Sequence, residues 1–313
     1  MRILLLGANG QVGFELLRAL APLGEVIATT RRGALPGGTA CERADLDAPA
    51  TLGALLDRTA PALVVNAAAY TAVDRAEDEQ EAAMRANGEA VGALGAWAAR
   101  RGALVVHYST DYVFDGAAAR PYREDDPTGP LGAYGRSKLA GEAALRESGA
   151  DHLILRTAWV YGARGHNFLR TMLRLAGERE RLTVVDDQHG APTSSRLIAS
   201  ATAAALARWL DWDAARRRAA LGTHHLVASG QTTWCGFARA IFEQAAAAGV
   251  IARVPQVDAI PTSAFPTRAR RPAWSVLDTA RFRDTFGLHL PDWRDGLAQA
   301  VGELGEARAM APR

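Results

Sequence analysis

A tyrosine and a lysine four positions apart, in the run Tyr134-Gly135-Arg136-Ser137-Lys138, are the pair best suited to moving a proton. On a helix that spacing puts both side chains on one face. A phenol, with a reference pKa of about 10, is a poor acid at neutral pH. An ammonium a few ångströms away favours the phenolate and brings that value closer to the working range. Such a tyrosine can protonate a carbonyl oxygen as hydride arrives at the carbon. Upstream, an apolar run ends in His107-Tyr108-Ser109-Thr110-Asp111. Thr110 falls at the C-terminal end of that strand, where open α/β sheets bind their ligands. Its hydroxyl can bond the substrate carbonyl and the Tyr134 phenol together, with Ser109 the competing choice on position alone.

A second chemistry sits at the N-terminus, in Gly7-Ala8-Asn9-Gly10-Gln11-Val12-Gly13. Glycines spaced three and three between a strand and a helix fit a dinucleotide diphosphate. Gly7 permits the tight turn, Gly10 a close approach of backbone to diphosphate, and Gly13 close packing of helix on strand. The free amides of Gln11 and Val12 then face the phosphates, aided by the helix dipole. After the second strand come Thr29 and Thr30, then Arg31 and Arg32, with no carboxylate for the ribose hydroxyls. A cation there accommodates a 2′-phosphate, so the sequence leans to NADPH, with NADH the alternative. Asp45-Leu46 closes the expected third strand, where a carboxylate can accept from the adenine amino group.

These residues need a scaffold that holds strand ends and helix starts in register. Ile3–Leu6, Val26–Thr29, Leu63–Asn66 and Leu104–Tyr108 read as buried strands. Between them Val12–Ala21, Leu52–Thr59 and Ala82–Arg101 repeat apolar residues at three and four. A helix over Gly135–Glu147, a strand over His152–Arg156 and a loop over 162–167 follow. The expected fold class is α/β, a doubly wound parallel sheet of Rossmann type with a smaller C-terminal substrate lobe. The expected division is 1–165 for the dinucleotide-binding domain and 166–313 for mainly the substrate lobe, some of whose segments return to the sheet. Residues 305–313 read as a frayed end.

Composition narrows the class further. The chain has 313 residues, 49% hydrophobic and 22% charged, with a formal charge of +2. That balance excludes disorder and a disulfide scaffold, and gives no footprint for nucleic acid or a membrane surface. Cys41 and Cys235 are too few and too far apart for a zinc site, and read as small buried residues. No secretory signal follows Met1, and no alanine-rich stretch reaches the roughly 18–20 residues of a membrane span. A cytoplasmic protein is expected.

Taken together, these motifs resemble the extended short-chain dehydrogenase/reductase superfamily and, more narrowly, its dTDP-4-dehydrorhamnose reductase family. The resemblance spans essentially the whole chain. It is carried by Gly7–Gly13, Asn66–Asp74, Tyr108–Gly116, Tyr134–Lys138, Arg156–Gly162 and Val185–Thr193. It implies hydride transfer from NADPH to a dTDP-sugar, with Thr110, Tyr134 and Lys138 as catalytic residues and Tyr134 as proton donor. Cofactor contacts fall by resemblance on Gly10, Gln11, Val12, Asp45, Leu46, Ala69, Tyr70, Thr71 and Tyr108, and Lys138 also orients the nicotinamide ribose. Sugar-nucleotide contacts fall on Thr110, Asp111 and Trp159, and the segments 186–193 and Arg271-Pro272 lie towards the nucleotide half. A diphosphate needs a cation, for which Arg271 is the best candidate. Pairing of subunits as a homodimer is compatible with the family, and no metal ligands are assigned.

Two other readings differ in class. An epimerase or dehydratase shares the scaffold, but a dehydratase needs a carboxylate pair after the Ser/Thr, and Asp111-Tyr112 supplies one. A non-catalytic cofactor-binding subunit would have no use for an intact Thr110, Tyr134 and Lys138. Elsewhere His224-His225 read as strand residues, Asp125-Asp126-Pro127 as an acidic turn, and Glu77, Asp78, Glu79 and Glu81 as a solvated acidic face that starts a helix.

Overall fold

A computed structural model describes residues 1–309. Seven parallel strands form its central sheet: β1 Arg2–Leu6, β2 Glu25–Thr30, β3 Glu42–Arg43, β4 Leu63–Asn66, β5 Leu104–Thr110, β6 His152–Thr157 and β7 Gly222–His225. Their spatial order is β7-β6-β5-β4-β1-β2-β3. The order reverses between β1 and β4, and doubly wound sheets open their ligand crevice at such a switch. β7 follows a long excursion, so a segment from the second half of the chain returns to the sheet edge. His224 and His225 are buried residues of that strand, in line with their sequence reading.

Strand composition explains why both faces are covered. β1, β4 and the first half of β5 are near-continuous runs of Leu, Ile and Val whose side chains alternate between two cores. Ile3, Leu5, Val65 and Val106 face the helix Gln11–Ala19 (α1) and the helix Ser195–Asp211. Leu4, Leu6, Val64 and Val105 face Leu52–Thr59 (α2) and the helical segment ending at Arg101. A separate core of Tyr161, Leu169, Phe237, Phe242, Trp293 and Leu297 builds the C-terminal part. There Arg181–Val185 pairs in parallel with Gln256–Ile260.

Several expectations are corrected. The helix expected over 82–101 is three pieces: Gln80–Met84 (α3), a π-helical turn Arg85–Glu89, and Ala90–Arg101 (α4). Asn87-Gly88 lies in the π turn; both are weak helix formers, and the wider turn lets Asn87 reach inward. The helix bearing Tyr134 and Lys138 starts earlier than expected, at Ala133, and runs to Glu147 (α5). β3 ends at Arg43, so Asp45 and Leu46 lie beyond it. Cys235 is buried, whereas Cys41 is only half-buried beside Thr30. The last helix continues from Trp293 to Ala309, so 305–309 are helical rather than frayed, and 310–313 lie outside the described residues. Among the described residues no helix is long and apolar enough to cross a membrane.

Candidate active site

The glycine loop leaves β1 with Gly7 in a left-handed conformation, φ +77°. A Cβ on Gly13 would lie 2.1 Å from the Gly7 carbonyl oxygen, so the first turn of α1 can sit against the loop only without one. The first bond into α1 runs from Phe14 N–H to the Gly10 carbonyl. The amides of Gln11, Val12 and Gly13 therefore have no acceptor within the helix. A dinucleotide diphosphate fits that donor set. At the far edge Arg31 and Arg32 are exposed, and Arg31 Nε lies 3.6 Å from Asp45 Oδ1.

β5 and α5 build the opposite wall. Thr110 ends β5 and donates to Asp111 Oδ1 at 3.0 Å, while accepting from Tyr112 N–H at 3.2 Å. Burial pushes the Asp111 carboxyl up to about 6, against hydrogen bonds that lower it. Burial and the adjoining Asp111 push the Tyr134 phenol up to about 12, with the Thr110 hydroxyl working in the opposite direction. Tyr112 packs edge-on against Tyr134, ring centroids 6.0 Å apart. The buried Thr110 and Asp111 and the half-buried Tyr134 thus meet at the C-terminal edge of the sheet.

Lys138 departs from the sequence expectation. Its amine takes other partners: Nζ donates to the Tyr108 carbonyl at 2.6 Å and lies 3.4 Å from His107 Nε2. Burial lowers it to about 8, with Glu142 pulling the other way. Residues four apart share a helix face, but a long amine bends to the strongest acceptor within reach, here a strand-end carbonyl. Below it Glu142 is fully buried and takes both forks of Arg156, at 2.9 and 2.7 Å. Tyr108 turns its phenol away from the crevice to Thr202 Oγ1 at 2.8 Å.

Asn66, Asn87, Glu77 and Glu79 tie the walls together, and sequence reasoning gave none of them a role. From the π turn, Asn87 Oδ1 accepts from Tyr70 N–H at 2.9 Å. Asn87 Nδ2 donates to the Tyr70 carbonyl at 3.0 Å and to Ser137 Oγ at 2.9 Å. One carboxamide thus fixes the loop Ala69-Tyr70-Thr71 against the helix of Tyr134. That contact is close because Gly141 faces the Asn87 carbonyl, which a Cβ there would meet at 2.0 Å. An Asn-Gly pair inside an otherwise helical pattern was the available signal. Two of the four acidic residues read as a solvated face also face inward. Glu77 Oε1 accepts from Ala133 N–H at 2.8 Å and so caps α5, while Glu79 accepts from the Tyr70 hydroxyl at 2.7 Å. Only the folded chain brings these helix starts together.

On the substrate side Trp159 takes φ +47°, costly for a large side chain, and its ring stacks on Trp234 with centroids 3.6 Å apart. The segment 186–193 runs beside this pair, and Gln188 Oε1 accepts from Trp234 Nε1 at 3.2 Å. Arg271, the cation expected for the substrate diphosphate, is paired with Asp74 Oδ2 at 2.8 Å, because the Ala269–Arg271 stretch folds back on the loop after β4.

A switch-point crevice with a glycine cradle on one wall and Thr-Tyr-Lys on the other defines a Rossmann-type oxidoreductase of the extended short-chain dehydrogenase/reductase type. The RmlD substrate binding domain family matches residues 1–305. A dTDP-4-dehydrorhamnose reductase of Burkholderia thailandensis is 51% identical over 310 residues, 97% of this chain and 99% of the relative. A crystal structure of the Clostridium acetobutylicum dTDP-4-dehydrorhamnose reductase aligns with TM-score 0.84 and 34% identity, covering 97% and 99% of the two chains. The Bacillus anthracis dTDP-4-dehydrorhamnose reductase, solved in complex with NADP, aligns with TM-score 0.83 and 30% identity over 96% and 99%. The chain belongs to the dTDP-4-dehydrorhamnose reductase family.

Proposed function

We propose that the chain reduces the C4 carbonyl of dTDP-4-dehydro-β-L-rhamnose, yielding dTDP-β-L-rhamnose, with NADPH preferred over NADH. The observation that carries this reading is the junction of Thr110, Asp111 and Tyr134 at the end of β5, facing the glycine cradle. Relatives bearing that activity in their names cover nearly the whole chain, and one is solved with NADP. With its diphosphate held by the glycine cradle, NADPH would supply the hydride for C4.

The chain's own groups do the rest. The free amides of Gln11 and Val12 hold the diphosphate where the Gly10 backbone lets it approach, Ala69, Tyr70 and Thr71 line the nicotinamide end, and Arg31 meets the 2′-phosphate. Thr110 aligns the sugar carbonyl, and Tyr134 delivers its proton to the oxygen as charge develops there. A phenol near 12 is fully protonated at neutral pH, yet far more acidic than the alcohol it creates, so the transfer runs downhill. Lys138 holds the nicotinamide ribose and supplies positive charge beside the resulting phenolate. Asp111 and Trp159 contact the sugar nucleotide, and Arg271 exchanges Asp74 for the substrate diphosphate.

The test is a coupled assay from dTDP-glucose through the two preceding pathway enzymes, with NADPH or NADH. Sugar-dependent oxidation of NADPH supports the reading. Its absence, with the preceding intermediates demonstrably formed, overturns it. A dehydratase finds no support here, because Tyr112 stands where its second carboxylate is needed.

A further inference from the structure

Beneath Lys138 lies a histidine that none of these roles uses. His107 is fully buried on β5, with Nδ1 3.1 Å from Asn66 Nδ2 and Nε2 3.4 Å from Lys138 Nζ. Asn66 ends β4, and its Oδ1 accepts from Ala68 N–H at 3.2 Å. This last bond settles the other two. A backbone N–H can only donate, so the atom of Asn66 facing Ala68 is the carbonyl oxygen and the atom facing His107 is the NH₂. An NH₂ also only donates, so Nδ1 of His107 must offer a lone pair. A neutral imidazole carries one N–H, which therefore sits on Nε2 and points at the lysine. An imidazolium would set donor against donor at Nδ1.

We propose that Ala68, Asn66 and His107 form a tautomer lock, in which His107 is a positioning residue that presents Lys138 with an N–H donor instead of an acceptor. The inference rests on the reading of Lys138 above and extends it to the layer beneath. A neutral amine accepts that N–H, whereas an ammonium meets it donor to donor and keeps the Tyr108 carbonyl as its partner. The lock therefore loosens the lysine's hold on its proton. The surrounding charges leave room for this effect. On α5 they are Tyr134 one turn back and Glu142 one turn on, and Glu142 is itself held by Arg156 on β6 and by Arg146 on its own helix. On β5 the Tyr108 phenol is turned to Thr202. Burial depresses both His107 and Lys138, in keeping with a neutral ring and a weakly basic amine.

Nitrogen NMR on the full-length protein labelled at its histidine rings tests the lock without using activity. The His107 signals are identified by their loss in His107→Phe, or in His107→Gln if the phenylalanine is not tolerated. The expected ring is neutral and protonated on Nε2, without titration from about pH 5.5 to 9. Asn66→Asp places an acceptor at Nδ1 and should move the proton there, turning a lone pair to Lys138. The alkaline limb of kcat/KM should then rise by about one pH unit, a tenfold change in acidity. In Asn66→Asp/His107→Phe the added carboxylate acts only through space, and the limb should fall back to that of His107→Phe. A proton on Nδ1 in the unmodified protein overturns the proposal, as does a limb shift that survives loss of the imidazole. The ring protonation is read whether or not the chain turns over a dTDP-sugar, so failure here and failure of the proposed reaction are told apart.

Discussion

The two walls of the crevice use the same pairing of cation and carboxylate under opposite conditions. Under the catalytic wall, Arg156 and Glu142 are 2% and 0% exposed and joined by two short bonds. At the outer edge of the cofactor wall, Arg31 is 71% exposed and lies 3.6 Å from Asp45 in a single loose contact. Water makes the difference. A buried pair cannot lose one partner without stranding the other in a medium that solvates it badly, while an exposed pair exchanges its partner for water at little cost. The inner wall therefore holds its atoms still, while the outer edge leaves a cation able to change partners.

Four measurements can break or sharpen that contrast. The largest effect should come from Tyr134→Phe, which on the proposed mechanism removes the proton donor while leaving cofactor affinity nearly intact. A loss of about 10²–10⁴ in kcat is expected in single-turnover kinetics. Retention of more than about half the rate, with chemistry limiting, would exclude Tyr134 as the donor.

Next, Arg156→Met takes both forked bonds from the buried Glu142 carboxylate, which burial raises and Arg156 pulls below its usual range, and leaves it only the partly exposed Arg146, so the loss should sit at the lower end of what a broken buried pair costs. Removing one partner of a buried pair typically costs about 3–5 kcal/mol. Chemical denaturation should show that loss, and the equivalent Arg31→Met should fall within about 0.5 kcal/mol of the parent. Similar losses at both sites would erase the contrast between the walls.

Third, Asp111→Asn should stabilise the protein at pH 7 by about 1–3 kcal/mol, since one pKa unit corresponds to about 1.4 kcal/mol. The Asp111 value is raised from 3.8 to about 6 on folding. Between those values the folded chain holds more protons than the unfolded one, so stability falls as pH rises through the window and the cost is complete above it. The advantage of the asparagine should accordingly vanish near pH 3.5, and thermal melts at the two pH values compare directly. An advantage that persists at the lower pH would point to packing instead of charge.

The smallest effect belongs to the outer edge. A guanidinium–phosphate bond contributes roughly 1.5–3 kcal/mol, and exposure should hold Arg31 to the lower end. kcat/KM for NADPH should exceed that for NADH by about tenfold, with the gap shrinking as salt is raised. Arg31→Ala/Arg32→Ala should remove most of that gap with kcat unchanged. Equal efficiency of the two cofactors in the unmodified protein would make both arginines plain solvated residues.

What the sequence determined by itself was local. The glycine loop, the strand runs and the Tyr134–Lys138 spacing depend on backbone sterics and hydrophobic period, which a few neighbouring residues fix, and the parallel α/β sheet followed from their alternation. Family resemblance then added candidate roles for Asp111 and Trp159. Only the tertiary structure decided where long polar side chains ended. Lys138 turned to the Tyr108 carbonyl instead of the phenol, Arg271 met Asp74, Glu77 capped α5, and Asn87 reached inward from a π turn. Each of those outcomes is a choice among partners far apart in sequence, made where burial leaves a polar atom no water to fall back on.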